Sequence, residues 1–318
     1  METRALGKTG IHVSELCFGV LPMGPSQFNL PSQEGGELIA RAIEEGITFF
    51  DTAQTYKTYE HLRAGLTIAG DKGKSVAIAT KSAASEYEPM KEAVEEARKA
   101  LGRDVIDVFH LHAARVGPEV FTERAGALEC LVDMKAKGII RAVGVATHSV
   151  TVARAVRERP EIDVLFPIIN IRGLGILHGT RDEMAFAIAR AAHTGKGVYT
   201  MKALGGGNLL SDREGAFSYV RDLPGVTSVA VGMVYPEELE MNLALFRGHP
   251  VSEELMAKTL RPKRLTIQAF CIGCGTCVDI CPNYAMEIVD GKARNNKDAC
   301  ILCGYCAPVC PMFAIRIV

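Results

Sequence analysis

Eight of the ten cysteines in this chain stand in two runs of identical spacing. The first is Cys271, Cys274, Cys277 and Cys281, followed by Pro282; the second is Cys300, Cys303, Cys306 and Cys310, followed by Pro311. Each cysteine of the second run lies 29 residues after its counterpart, as 300 follows 271 and 310 follows 281. Closely spaced thiolates on a tight loop can wrap a metal centre corner by corner, and soft thiolate ligands suit iron–sulfur clusters. A zinc site needs four ligands and no second register. Disulfides are not expected, because the opening METRALGKTG reads as neither a signal nor a transit peptide. Cys17 and Cys130 lie outside the runs in apolar segments and read as small core residues.

The doubled run resembles that of bacterial two-cluster ferredoxins, in which the fourth cysteine of each run ligates the other cluster. The resemblance implies two 4Fe–4S clusters. One would be held by Cys271, Cys274, Cys277 and Cys310, the other by Cys300, Cys303, Cys306 and Cys281. Reduced thiolates and clusters imply a cytoplasmic setting.

A length of 318 residues fits about two domains, and 48% hydrophobic residues suffice for a large core. A net charge of −1 points to no nucleic-acid or acidic-membrane partner. No apolar stretch is long enough to predict a membrane span. Before residue 249, strand-like runs at 16–20, 48–50, 76–80, 105–111, 142–146, 164–169, 198–201 and 228–231 alternate with amphipathic stretches. The latter fall at 34–45, 60–69, 90–101, 123–137, 150–159, 181–194, 213–222 and 236–246. In the third, Val94, Ala97 and Leu101 recur at helical spacing. Gly46, Gly102, Gly138 and Gly195 follow four of these stretches as helix-ending glycines do. Eight such pairs predict an α/β fold, a (β/α)8 TIM barrel, with an open doubly wound sheet as the alternative. A hairpin over the barrel floor is expected at 4–13. The domain boundaries expected are 1–248 for the barrel, 249–264 for a linker and 265–318 for a small α+β ferredoxin-like domain. The basic run at 261–264 reads as a solvated face or a dock for that domain, with an external partner as the sharper alternative.

In such barrels the active site lies at the C-terminal ends of the strands. Asp51 ends the second strand with Tyr56 in the following loop, Lys81 ends the third and His112 the fourth. This order, with Lys137-Gly138-Ile139-Ile140-Arg141 further on, resembles the aldo-keto reductase family over about residues 3–248. The resemblance implies carbonyl–alcohol chemistry on a small-molecule substrate. A phenol with a resting pKa of about 10 is a poor proton donor near neutrality. A neighbouring ammonium favours its ionisation. Tyr56 is thus expected to be the general acid, Lys81 its tuner, Asp51 the anchor of Lys81, and His112 the group that orients the substrate oxygen. His110 shares a strand face with His112 and reads as core packing.

The resemblance also implies a nicotinamide nucleotide. Thr147 and Asn170 stand where the family contacts the carboxamide, and Met201 stands where a tyrosine usually stacks on the ring. Lys202, Leu204 and Gly205 belong to the expected pyrophosphate loop. Gly232, Glu238 and Asn242 fall at the adenosine end. A carboxylate there repels a 2′-phosphate and can bind a ribose hydroxyl, so Glu238 favours NAD over NADP. The competing reading is that Glu237 and Glu238 merely begin a helix. The substrate loops look short, so the cluster domain is expected to pack against the barrel and help close the pocket. Three functions stay open: an oxidoreductase whose clusters exchange electrons with its site or with a redox partner protein, an NAD(P)H-dependent reductase with structural or sensory clusters, and a non-catalytic electron-transfer subunit.

Overall fold

A computed structural model describes residues 1–318 apart from 115, 261–263, 308, 313 and 318. Eight parallel strands close into a barrel: β3 (Leu16–Gly19), β4 (Phe49–Asp51), β5 (Ala77–Ser82), β6 (Ile106–Ala113), β7 (Ile140–Thr147), β8 (Val164–Pro167), β9 (Gly197–Met201) and β10 (Ser228–Gly232). β10 pairs with β3 through Val231↔Phe18, so no strand edge remains. The open-sheet alternative is thereby excluded. Before the barrel, β1 (Thr3–Ala5) and β2 (His12–Ser14) form the expected hairpin. Its Leu6, Ile11 and Val13 pack into the inner cluster with Cys17, Phe49 and Val108, plugging the floor.

Alternation along each strand separates two cores. Phe50, Phe109 and Leu111 point outward and join the helix-facing layer, whereas Phe49, Val108 and Tyr199 fill the interior. The helices follow the amphipathic stretches. Tyr87–Leu101 buries Met90, Ala93, Val94, Ala97 and Leu101 on one face and ends on Gly102, whose φ of 66° is the left-handed cap that favours glycine. Arg181–His193 opens with a Thr180–Glu183 capping box.

The stretch expected to be a linker holds a short helix, Glu253–Thr259, capped by Ser252. It packs on the barrel, where Arg213 donates to the Thr259 carbonyl at 2.7 Å. Most of the basic run lies outside the described residues. Beyond it, β11 (Leu265–Ile267) pairs antiparallel with β14 (Ile315–Ile317), and β12 (Met286–Val289) with β13 (Lys292–Asn295). These small sheets enclose a separate core of Cys271, Cys277, Cys306, Cys310, Met286 and Ile315.

Candidate active site

The strand ends bring the four expected residues together. Lys81 is fully buried and donates to Asp51 Oδ1 and to the Thr52 carbonyl, both at 2.7 Å. Its ammonium also lies 4.8 Å from the centre of the Tyr56 ring. The Tyr56 and His112 rings meet edge-on with centroids 6.0 Å apart. Burial raises the Asp51 carboxyl and lowers the Lys81 ammonium, and each partner's charge opposes the shift of the other. The expected depression of the Tyr56 phenol is not what this arrangement produces. Burial, contact with Tyr305 and the Asp51 charge push it well above the usual range. The physical reason is that Lys81 is committed to Asp51 and Thr52, and meets Tyr56 over the ring rather than at the hydroxyl.

Beneath the tetrad lies a polar chain that the sequence reading missed. Tyr199 donates to Asp51 Oδ2 at 2.9 Å, and its oxygen lies 2.7 Å from His110 Nε2. The single Tyr199 proton goes to the carboxylate, so His110 must donate from Nε2. Burial, with Lys81 nearby, holds the His110 imidazole well below its ordinary range and therefore neutral. Space for this ring comes from Gly144, where a Cβ would stand 2.0 Å from His110 Nδ1. Phe166 stacks on Tyr199 at 3.9 Å. His110 is thus buried as expected, but as a member of the hydrogen-bonded chain behind Asp51.

From Asp51 and Tyr56 a long cleft runs along β9 and β10. Met201, Lys202, Leu204, Gly232, Glu238 and Asn242 line it; Gly205 does not, and its neighbours Gly206 and Gly207 stand there instead. Thr147 and Asn170 are not among its walls. Thr147 Oγ1 accepts from Ser149 N at 3.0 Å, and the Asn170 side chain exchanges two bonds of 2.9 Å with the Leu174 backbone. Their positions came from the family pattern, and their polar atoms are already used by their own loops. Glu238 caps its helix by accepting from Val234 N at 2.7 Å, as the helix-start reading proposed, while still lining the cleft. Arg213, which sequence reasoning took as a helix start, is buried in the same wall, and among the described residues its Nε has no partner.

The cysteines surround two small cavities. Cys271, Cys274, Cys277 and Cys310 line one. Cys281, Cys300, Cys303 and Cys306 line another. These are the two crossed sets that the ferredoxin resemblance implies. Backbone N–H groups point at the sulfurs: Ala285 N lies 3.2 Å from Cys281 Sγ, and Ala314 N 3.3 Å from Cys310 Sγ. Such donors stabilise thiolates holding an anionic cluster. Among the described residues, no three His, Cys, Asp or Glu side chains converge on a single-ion site. The second cavity abuts the barrel. Asn208 donates to the Cys300 carbonyl at 3.1 Å, and Ile301 and Cys303 join the barrel core. Leu302 and Tyr305 complete the cleft wall near Tyr56.

Comparison with known proteins accords with both halves. The profile of the Aldo/keto reductase family matches residues 15–216, and that of a 4Fe-4S dicluster domain matches residues 270–314. Methylglyoxal reductase DkgA of Escherichia coli O157:H7 is 25% identical over 58% of this chain and 69% of its own length. L-galactose dehydrogenase of Arabidopsis thaliana is 28% identical over 46% of this chain and 48% of its own length. A solved structure of a putative aldo-keto reductase from Pseudomonas aeruginosa superposes with a TM-score of 0.65 at 26% identity, covering 77% of this chain and 94% of its own. With the profile spanning more than half of the sequence, the chain belongs to the aldo/keto reductase family and carries a 4Fe-4S dicluster domain on the same polypeptide.

Proposed function

We propose that the barrel interconverts a small carbonyl compound and its alcohol at Asp51, Tyr56, Lys81 and His112. In this reading NAD(P)H occupies the cleft, and the two cysteine sets hold 4Fe–4S clusters that exchange electrons with the site or with a partner protein. The observation that carries it is the convergence of four chemically matched side chains at the head of one long cleft, with Lys81 2.7 Å from Asp51. When bound, the nicotinamide supplies hydride as an electron pair, and the clusters pass single electrons. Tyr56 delivers the proton to the carbonyl oxygen, and His112 orients that oxygen by hydrogen bonding. Asp51 holds Lys81 under the Tyr56 ring, and Tyr199 with His110 holds Asp51. Lys202 and the Gly206–Gly207 backbone suit a pyrophosphate, where glycine permits close approach.

The charge argument for NAD over NADP weakens at the adenosine end. Glu238 is engaged by backbone N–H groups, and the Arg213 cation shares its wall. Nucleotide choice is therefore read from experiment. The protein, purified without oxygen, is mixed with NADH or NADPH while visible cluster absorption is followed. Bleaching by one nucleotide supports a wired oxidoreductase. Clusters reducible by dithionite but by neither nucleotide would refute the nicotinamide link. Loss of carbonyl reduction in Tyr56→Phe with clusters intact is the expected catalytic test, and unchanged activity would remove Tyr56 from the mechanism.

A further inference from the structure

The cluster half contributes a tyrosine to the tetrad. Tyr305 sits on the turn between Cys303 and Cys306, and its hydroxyl lies 3.4 Å from His112 Nε2. It lines the cleft beside Tyr56, whose phenol it helps to hold protonated, and its ring meets His112 edge-on at 6.3 Å. Tyr56 and His112 are the two groups assigned above to the substrate oxygen. The Tyr305 oxygen, against His112 and beside Tyr56, stands where a carbonyl oxygen would be received.

The turn that carries it is seated firmly. Gly206, at a φ of +70°, approaches so closely that a Cβ there would stand 1.7 Å from the Ile301 carbonyl oxygen. A Cβ on Gly304 would stand 3.4 Å from the Ser26 carbonyl oxygen on the barrel side. Asn208 fixes the Cys300 carbonyl, and Ile301 is buried in the barrel core. Clearing the oxygen position thus requires Tyr305 to turn into the cleft it lines, or the cysteine-bearing turn to shift.

We infer that Tyr305 is a specificity-determining residue of the barrel site: its hydroxyl holds the oxygen position between Tyr56 and His112, so a carbonyl binds only by displacing it. This rests on the reading of Tyr56 and His112 as the oxygen-binding pair. The device selects ligands whose carbonyl oxygen competes with a phenol for the same two partners. It also ties occupancy of the barrel site to a segment between two cysteines of the second set.

The test is calorimetric titration of the anaerobic holoprotein with 4-nitroacetophenone, with turnover on NADH and NADPH measured in parallel. Tyr305→Phe keeps the ring and removes the hydroxyl. Its affinity for the ketone is expected to rise about tenfold, the scale of one hydrogen bond no longer broken on binding. Tyr305→Ala should show at least the same gain and serves if the Phe variant loses its visible cluster absorption. Equal or weaker binding by the variants, or binding by none of the proteins, overturns the inference. Tighter binding by the variants with no turnover by any protein keeps the inference and refutes carbonyl reduction.

Discussion

Tyr199→Phe is the sharpest probe of the interior chain. The substitution leaves the ring in place, with its stack on Phe166 at 3.9 Å and its edge contact with Phe49 at 4.8 Å, so no cavity opens. What disappears is one donor to the Asp51 carboxylate and one acceptor for His110. A hydrogen bond to a charged group contributes about 1.5–3 kcal/mol, and a stranded buried N–H costs a further 1–3 kcal/mol or so, giving an expected loss of about 3–5 kcal/mol. The loss has a definite pH sign. Burial already raises the Asp51 carboxyl above its usual 3.8, so ionised Asp51 costs stability above its folded pKa, and the Tyr199 bond reduces that cost. The effect of the substitution should therefore be full where Asp51 is ionised and shrink as pH falls through that pKa. Urea unfolding followed by circular dichroism supplies the measurement, in a double-mutant cycle with Asp51→Asn. The expected coupling is about 1–2 kcal/mol, the excess of a charged over a neutral hydrogen bond. A coupling below about 0.5 kcal/mol, within the usual additivity error, would refute the chain as described.

Three other perturbations reach different parts of the molecule. Cys310→Ser should share its electron paramagnetic spectrum and iron loss with Cys271→Ser rather than with Cys300→Ser; the reverse grouping would refute the crossed ligand sets. Gly206→Ala forces a side chain into a left-handed position facing the Ile301 carbonyl and should cost about 1–3 kcal/mol. Faster proteolysis between barrel and cluster domain, with cluster absorption kept, is the expected reading; unchanged cleavage would show that the turn is not seated on Gly206. Because the Tyr56 phenol is raised above 10, its protonated, proton-donating form persists below that raised value. Carbonyl reduction should therefore show no alkaline fall before about pH 10, and a fall centred near neutrality would contradict the assignment.

The parts legible in the sequence share a physical cause. Strand alternation and strand ends put Asp51, Lys81 and His112 on one rim, because a period of two leaves a residue no other face to occupy. The doubled cysteine spacing carried its register openly. Tyr199 and His110 were hidden because a tyrosine or histidine inside a barrel strand has the same local pattern as a packed aromatic. Only the partner strand, 89 residues away for this pair, makes it a hydrogen bond. Tyr305 was concealed inside a Cys-x-x-Cys segment, where the cysteines account for the spacing. Thr147 and Asn170 were carried over from a family pattern, yet a loop can turn such polar groups onto its own backbone. Lys81 was rightly placed beside Tyr56, but which side of a phenol an ammonium approaches is a matter of tertiary geometry.

The crossed cysteine sets have a consequence for the order in which the molecule can be made. The last barrel strand ends at Gly232, whereas the first cavity awaits Cys310 and β11 awaits β14. Chains emerge N-terminus first and their domains generally fold as units. The barrel can therefore close, with the head of its cleft uncovered, before either cysteine set has its last sheet partner. The newborn protein thus passes through a stage as an uncapped barrel, which ends only when the C-terminal strand has been made.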